Sequence, residues 1–404
     1  MNKTYLQELT SELENARQNG TYNNIRTVQS QQGAYLTLQE KEYLNLSSNN
    51  YLGFASHPRL KQAAQQAIES HGVGTASVRA LIGTNDLHIT LEKKLAEFKK
   101  ADDAIVVTSG YLANMAAIQT LLDKDDVVIS DELNHASIID AVKLAGITHK
   151  FIYRHSDIDG LRTQLEEAQK ITSEKHPTGR NKRVLIVTDG VFSMDGDMAK
   201  LPEIVDLAEE FGAITMVDDA HGEGMLGSHG RGIVDHFNLH GRVDIEVGTL
   251  SKAFGVLGGF ITGTQTLIDW YHQKARQFLF SNALSIPDTA ALIEAVTILE
   301  ESDEDVKKLW ENAEFLKKAL QEAGFNTGNT QTPIIPVMIG DELRAAEYAK
   351  KLYEKGIIVS AIKFPMVAKG AARLRLQPSA IHTQEDLEKG IEAIIQVGKE
   401  MQIV

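Results

Sequence analysis

The sequence predicts an α/β protein: a mainly parallel sheet flanked by helices, followed by a smaller C-terminal α+β domain. Three observations carry this expectation. Between about residues 57 and 280, stretches of helical periodicity alternate with short apolar runs. Those runs are apolar along their whole length, as strands buried on both faces of a parallel sheet must be. After Pro287 the texture changes to long, charged helical segments.

Residues 3–18 read as an amphipathic helix with Tyr5, Leu6, Leu9 and Leu13 on one side, and two short strands follow around 34–38 and 43–46. Helical periodicity then covers roughly 58–70, 88–99, 111–122, 136–144, 157–169 and 201–211. Buried-strand runs fall at 104–107, 127–129, 184–187, 214–217 and 245–247. The polar, basic stretch 173–183, broken by Pro177 and Gly179, reads as a solvated loop. Helices are expected at 287–301, 303–323, near 342–355 and near 384–401, with a strand at 334–338. The expected division is an N-terminal helix with short strands over 1–55, a large domain over 56–286 and a small α+β domain over 287–404.

A chain of 404 residues is long for a single core, so two lobes are expected. Its net charge of −14 disfavours nucleic acid or an anionic membrane as partner, because both require basic surface. An anionic substrate must then be captured by local basic groups. The absence of cysteine removes disulfides, thiolate nucleophiles and cysteine-based metal sites. The first residues lack the apolar core of a signal peptide, and no apolar run is long enough to span a bilayer, so a cytoplasmic protein is expected.

The most informative residue is Lys252, in the glycine-flanked turn Gly248-Thr-Leu-Ser-Lys252-Ala-Phe-Gly after the run 245–247. An earlier run ends in Asp218-Asp-Ala-His221. A lysine and a carboxylate at neighbouring strand ends suit pyridoxal phosphate, which needs an amine for its aldehyde, an acid for its ring nitrogen and a cradle for its phosphate. Ser109-Gly110-Tyr111 opens a helix and reads either as a phosphate site or as a simple cap. His135 starts another helix, either stacked on a planar cofactor or capping. Asp189-Gly-Val-Phe-Ser193-Met-Asp-Gly196 follows a strand, with glycines that permit close backbone approach. Asp218 and His221 could also begin a metal site, but the sequence singles out no further ligands, and none is expected. In Arg373-Leu-Arg375 both arginines face one side of a strand, suited to a carboxylate or to an exposed edge.

These motifs, with Leu46-Ser-Ser-Asn-Asn-Tyr-Leu-Gly53, Gly72-Val-Gly-Thr-Ala-Ser-Val-Arg-Ala-Leu-Ile-Gly-Thr84 and Phe278-Leu-Phe-Ser-Asn282, occur in the order found in the α-oxoamine synthases, and the chain resembles that family from about Tyr5 to Val404. The resemblance implies a fold-type I pyridoxal-phosphate transferase with a sheet of the seven-stranded type, condensing an amino acid with an acyl-CoA. Within the family it is nearest to the glycine C-acetyltransferase (2-amino-3-ketobutyrate CoA ligase) group, through Ala76–Thr84, Asp189–Gly196 and the ending Pro378-Ser-Ala-Ile-His-Thr383. That implies glycine and acetyl-CoA as substrates and a role in threonine degradation. The 8-amino-7-oxononanoate synthases are the alternative, and Ser109-Gly110-Tyr111 follows their pattern. An aminotransferase using the same lysine, aspartate and arginine is a further alternative; it would need no CoA.

Residue by residue, the resemblance implies that Lys252 binds the cofactor aldehyde and moves the α-proton. Asp218 would pair with the ring nitrogen, His135 stack on the ring, and Ser193 and His221 reach the ring hydroxyl region. Gly110, Tyr111 and Thr249 would hold the cofactor with its phosphate. Ser281 and Asn282 would reach the phosphate from the other subunit of a homodimer with shared active sites. Gln277 stands just before them, where proline is usual. Asn49 and Arg375 would meet the amino acid, with His135 beside them.

Overall fold

The computed structural model describes residues 3–19, 22 and 25–404. The helix Lys3–Gln18 forms as expected, but it buries none of its residues, and Leu9 and Leu13 each keep 48% of their surface exposed. Strands β1 (Tyr35–Leu38) and β2 (Lys41–Asn45) make a hairpin, closed by Gln39 and Glu40, both at positive φ.

The large sheet is built from β3 (Asp103–Val107), β4 (Val127–Asp131), β5 (His149–Tyr153), β6 (Val184–Asp189), β7 (Ile214–Asp218), β8 (Ile245–Thr249) and β9 (Gly259–Gly263). Their order is β3-β9-β8-β7-β6-β4-β5, and every pairing is parallel except those that β9 makes with β3 and β8. Side-chain alternation divides the sheet between two cores. Ala104, Val106, Ile129, Ile186 and Val217 pack on one face, and Ile105, Val107, Val128, Val187 and Met216 on the other. Burial on both faces explains the continuous apolar runs of these strands.

The C-terminal part contributes β10 (Ile335–Gly340), β11 (Ile357–Ile358), β12 (Ser360–Ile362) and β13 (Ala372–Leu376). β13 lies between β10 and β12, antiparallel to both. β11 pairs in parallel with β2, so the N-terminal hairpin is stitched to this end of the chain, and Leu44 and Leu46 enter its core. The helices Ile286–Glu301, Glu304–Glu322, Glu342–Glu354 and Gln384–Glu400 fall within two residues of expectation. Among the described residues no helix is long and apolar enough to cross a membrane.

Candidate active site

The carboxyl ends of parallel strands, where an α/β sheet presents its working groups, meet here around a cavity of about 260 Å³. β6 ends in Asp189, β7 in Asp218 and β8 in Thr249. Ser109, at the start of the helix Gly110–Leu121, faces them. Gly110, Tyr111, His135, Ser193, Asp218, His221, Thr249 and Lys252 all line this one cavity.

Lys252 sits in the turn after β8, largely buried but open to the cavity. Burial depresses its amine from the ordinary 10.5 to about 8, although Asp218 and Asp189 oppose the shift. An amine so placed is still mostly protonated near physiological pH, but it keeps a far larger neutral, nucleophilic fraction than an ordinary lysine does. Asp218 is buried and held: the side-chain amide of Asn114 donates to its Oδ2 at 2.6 Å, and Asp218 Oδ1 accepts from the Ala220 N–H at 3.0 Å. Asn114 also donates to Ser137 Oγ at 2.9 Å, while its own Oδ1 is buried without a partner. Burial, with the neighbouring Asp218 charge, pushes the Asp189 carboxyl well above the usual range.

His135 is a helix cap that also faces the cavity. Its ring caps the helix Ala136–Leu144 by accepting from the Ser137 N–H at 3.3 Å, and it also lines the cavity. Burial lowers its pKa, as it does far more strongly for His221. The neutral His221 ring meets the Tyr51 hydroxyl at 2.8 Å through Nδ1. Ser109 is likewise a true cap, accepting from Leu112 N–H at 3.2 Å. Gly110 lies against Thr249: a Cβ there would come within 3.0 Å of its side chain, so the helix N-terminus approaches the turn as closely as glycine allows.

Four expected residues do not line this cavity. Arg375 is adjacent to it: its Nη1 donates to the Ser193 carbonyl at 3.2 Å, and its Nε is buried with no partner. Arg373 turns to the same loop and pairs with Asp195, so the two arginines share a face as their spacing predicts. Asn49 accepts from Gln377 Nε2 at 2.8 Å, and Gln377 donates to Tyr51 at 2.9 Å, a chain that ends at His221. Ser281 and Asn282 lie away from the cavity of their own chain, where Asn282 bridges antiparallel to Val78.

Asn114, Tyr51 and Asp189 belong to the site but were not singled out from sequence. Asn114 carried no distinguishing signal, since the helix Gly110–Leu121 holds a second amide, Gln119. Among the described residues, the three side chains spaced to share a metal ion are Asp123, Asp125 and His176, not Asp218 and His221. His176 and Asp123 are already tied to each other, and Arg180 closes on Asp123.

A buried amine, an opposed carboxylate, hydroxyls beside a helix N-terminus and the unpartnered Asn114 Oδ1 and Arg375 Nε fit pyridoxal phosphate with an anionic substrate. Known proteins agree. The chain matches the family model described as aminotransferase class I and II over residues 41–394, and it belongs to that family. It is 53% identical over 393 residues to an 8-amino-7-oxononanoate synthase of Thermosipho melanesiensis, covering 97% of this chain and 98% of that one. It is 54% identical over 397 residues to the protein of the same name from Fervidobacterium nodosum, covering 98% of each. Among solved structures, a Sphingomonas wittichii serine palmitoyltransferase superposes with a TM-score of 0.91 at 29% identity, covering all of both chains. A serine palmitoyltransferase from S. paucimobilis, solved with a PLP–myriocin aldimine, gives 0.91 at 28% identity, again over all of both chains. The chain is therefore a fold-type I pyridoxal-phosphate enzyme of the α-oxoamine synthase type, and its cofactor is pyridoxal 5′-phosphate.

The expectation of glycine and acetyl-CoA, with a place in threonine degradation, is overturned by these relatives, whose shared name is that of the alternative. The physical reason lies in where the guiding motifs sit. Asp189 and Ser193 of the segment 189–196 line the cofactor cavity, so they report cofactor handling, which both reactions share. Ser109-Gly110-Tyr111, whose pattern is that of the relatives' group, lines the same cavity.

Proposed function

We propose that the protein condenses alanine with a pimeloyl thioester to give 8-amino-7-oxononanoate, the thiol and carbon dioxide, a step of biotin synthesis in the cytoplasm. The observation that carries this reading is full-length identity above one half with relatives of that name, joined to a site furnished for amino-acid chemistry. Carbon balance requires the dioxide: three carbons from alanine and seven from the acyl group exceed the nine of the product by one.

When bound, the cofactor supplies an electron sink that stabilises negative charge at the α-carbon of the amino acid. The chain's own groups do the rest. Lys252 would hold the cofactor aldehyde and would move the α-proton; an amine poised near 8 is matched to that task. Asp218, fixed by Asn114, would pair with the ring nitrogen and favour its protonated form. His135 would lie against the ring and beside the substrate, and Ser193 and His221 would address the ring hydroxyl. Gly110, Tyr111 and Thr249 would hold the phosphate end.

Arg375, with its unpartnered Nε, grips the amino-acid carboxylate, and Asn49 orients the same substrate. Ser281 and Asn282 complete the phosphate site of the neighbouring subunit, which makes a homodimer the working unit. The test is to supply carboxyl-labelled alanine with pimeloyl-CoA and follow products by mass spectrometry. Labelled carbon dioxide and unlabelled 8-amino-7-oxononanoate in equal amounts are expected. Thiol release without either would refute the reading.

A further inference from the structure

Beneath the cofactor cavity lies a second set of charges that the reaction does not use. Lys99, the last residue of the helix Asp86–Lys99, is 1% exposed, and its Nζ sits 3.2 Å from Asp219 Oδ2, 3.5 Å from Glu223 Oε1 and 3.0 Å from Glu246 Oε2. It also donates to the Arg231 carbonyl at 2.6 Å. No bulkier lining is possible: a Cβ on Gly232 would fall 1.7 Å from Asp219 Oδ2 and 2.8 Å from Nζ, and one on Gly248 would fall 2.2 Å from Glu223 Oε1. Burial acts to lower the Lys99 pKa, but Glu246, Asp219 and Glu223 outweigh it and raise it. A lysine and three acids sealed in a core are costly unless closely paired, so their arrangement is stiff.

Each carboxylate belongs to a segment of the site. Asp219 directly follows Asp218, and Asp219 Oδ2 also accepts the Ile233 N–H at 3.0 Å. Glu223 lies two residues beyond His221, and its Oε2 accepts the Thr249 N–H at 3.2 Å. Glu246 is on β8, which runs into Thr249 and the Lys252 turn. One ammonium thus ties the loop after β7 to the strand and turn that present the lysine.

We infer that Lys99, acting through Asp219 and Glu223, is a positioning residue that fixes the Thr249–Lys252 turn against the Asp218 carboxylate. This deepens the proposed site and rests on its cofactor, not on the choice of acyl substrate.

The test uses holoenzyme carrying Lys99→Met, with three readouts: the cofactor dissociation constant, the pH midpoint of the visible band of the lysine-bound cofactor, and the melting temperature. The groups electrostatically facing Lys252 are Asp218, Asp189, Arg375, Glu223, His135 and His221, and the substitution leaves all of them in place. Cofactor binding is expected to weaken by ~10-fold or more, as for a lost charge-assisted contact, and the midpoint to move. Adding Glu223→Gln to Lys99→Met removes one of the three carboxyls left without the ammonium and is expected to recover part of both. If Lys99→Met does not fold, Glu223→Ala decides. It removes the acceptor of the Thr249 N–H while Lys99 keeps Asp219 and Glu246, and weaker cofactor binding is again expected. A lower melting temperature with wild-type cofactor affinity and midpoint, in whichever variant folds, would overturn the inference. Failure of the pimeloyl assay would leave these readouts unaffected.

Discussion

Replacing Lys252 by methionine should make the cofactor-free protein more stable at neutral pH, although it destroys the site. In the folded state burial holds the amine near 8, against 10.5 ordinarily. Below pH 8 both folded and unfolded chains carry the proton, and the folded one bears the cost of a desolvated ammonium. Between 8 and 10.5 the unfolded chain binds more protons, so stability rises with pH through that window, and above it the cost is gone. The full depression corresponds to roughly 3 kcal/mol. Lys252 opens onto the cavity, where water screens it, so about 1–3 kcal/mol is expected. Urea unfolding of the cofactor-free wild type and Lys252→Met at pH 7 and pH 10 measures this. The variant should be the more stable at pH 7, with most of its advantage lost at pH 10. Equal stability at pH 7, or an advantage independent of pH, would refute the argument that the amine is strained by burial.

Asn114→Ala removes the donor 2.6 Å from Asp218 and leaves a buried carboxylate oxygen unpaired, so cofactor binding should weaken by about 1.5–3 kcal/mol, read by equilibrium dialysis. Arg375→Ala should weaken alanine binding by about 1.5–3 kcal/mol, read from the cofactor spectrum, with cofactor affinity changed much less. Mixing Lys252→Ala subunits with Ser281→Ala/Asn282→Ala subunits should restore turnover, because one site in each mixed dimer would then be intact. Recovery of none, with mixed dimers confirmed by native mass spectrometry, would show that each chain builds its own site.

How much of this was legible beforehand depended on burial. β4, β6 and β7 read directly because both faces are covered and their apolar runs are unbroken. β5 has no clear strand signal because it lies at the sheet edge, where His149, Lys150, Phe151 and Ile152 keep partial or full exposure and break the apolar run. β9 hides in the glycine-rich stretch after Lys252 and reads as part of the turn. Lys252 and Asp218 were legible because strand ends mark them. Asn114 acts from inside a helix, where nothing in the spacing distinguishes a ligand-holding amide from a packed one. Glu246 offered a signal that went unread: a lone charge in the run Ile245-Glu-Val247, pointing to the face where Lys99 waits. Of the three motifs behind the glycine and acetyl-CoA reading, only 189–196 contributes to the cavity lining, and acyl length is set by pocket volume, where a single methylene is worth only ~1–3 kcal/mol.

The central claim, that this is an alanine- and pimeloyl-using α-oxoamine synthase, is tested most directly by kcat/KM for thiol release with alanine, glycine and serine, each crossed with pimeloyl-, acetyl- and long-chain acyl-CoA. The pair alanine and pimeloyl-CoA should exceed every other by at least ~10-fold, equivalent to about 1.4 kcal/mol of transition-state discrimination. A maximum at glycine and acetyl-CoA, or at serine and a long-chain thioester, would contradict it.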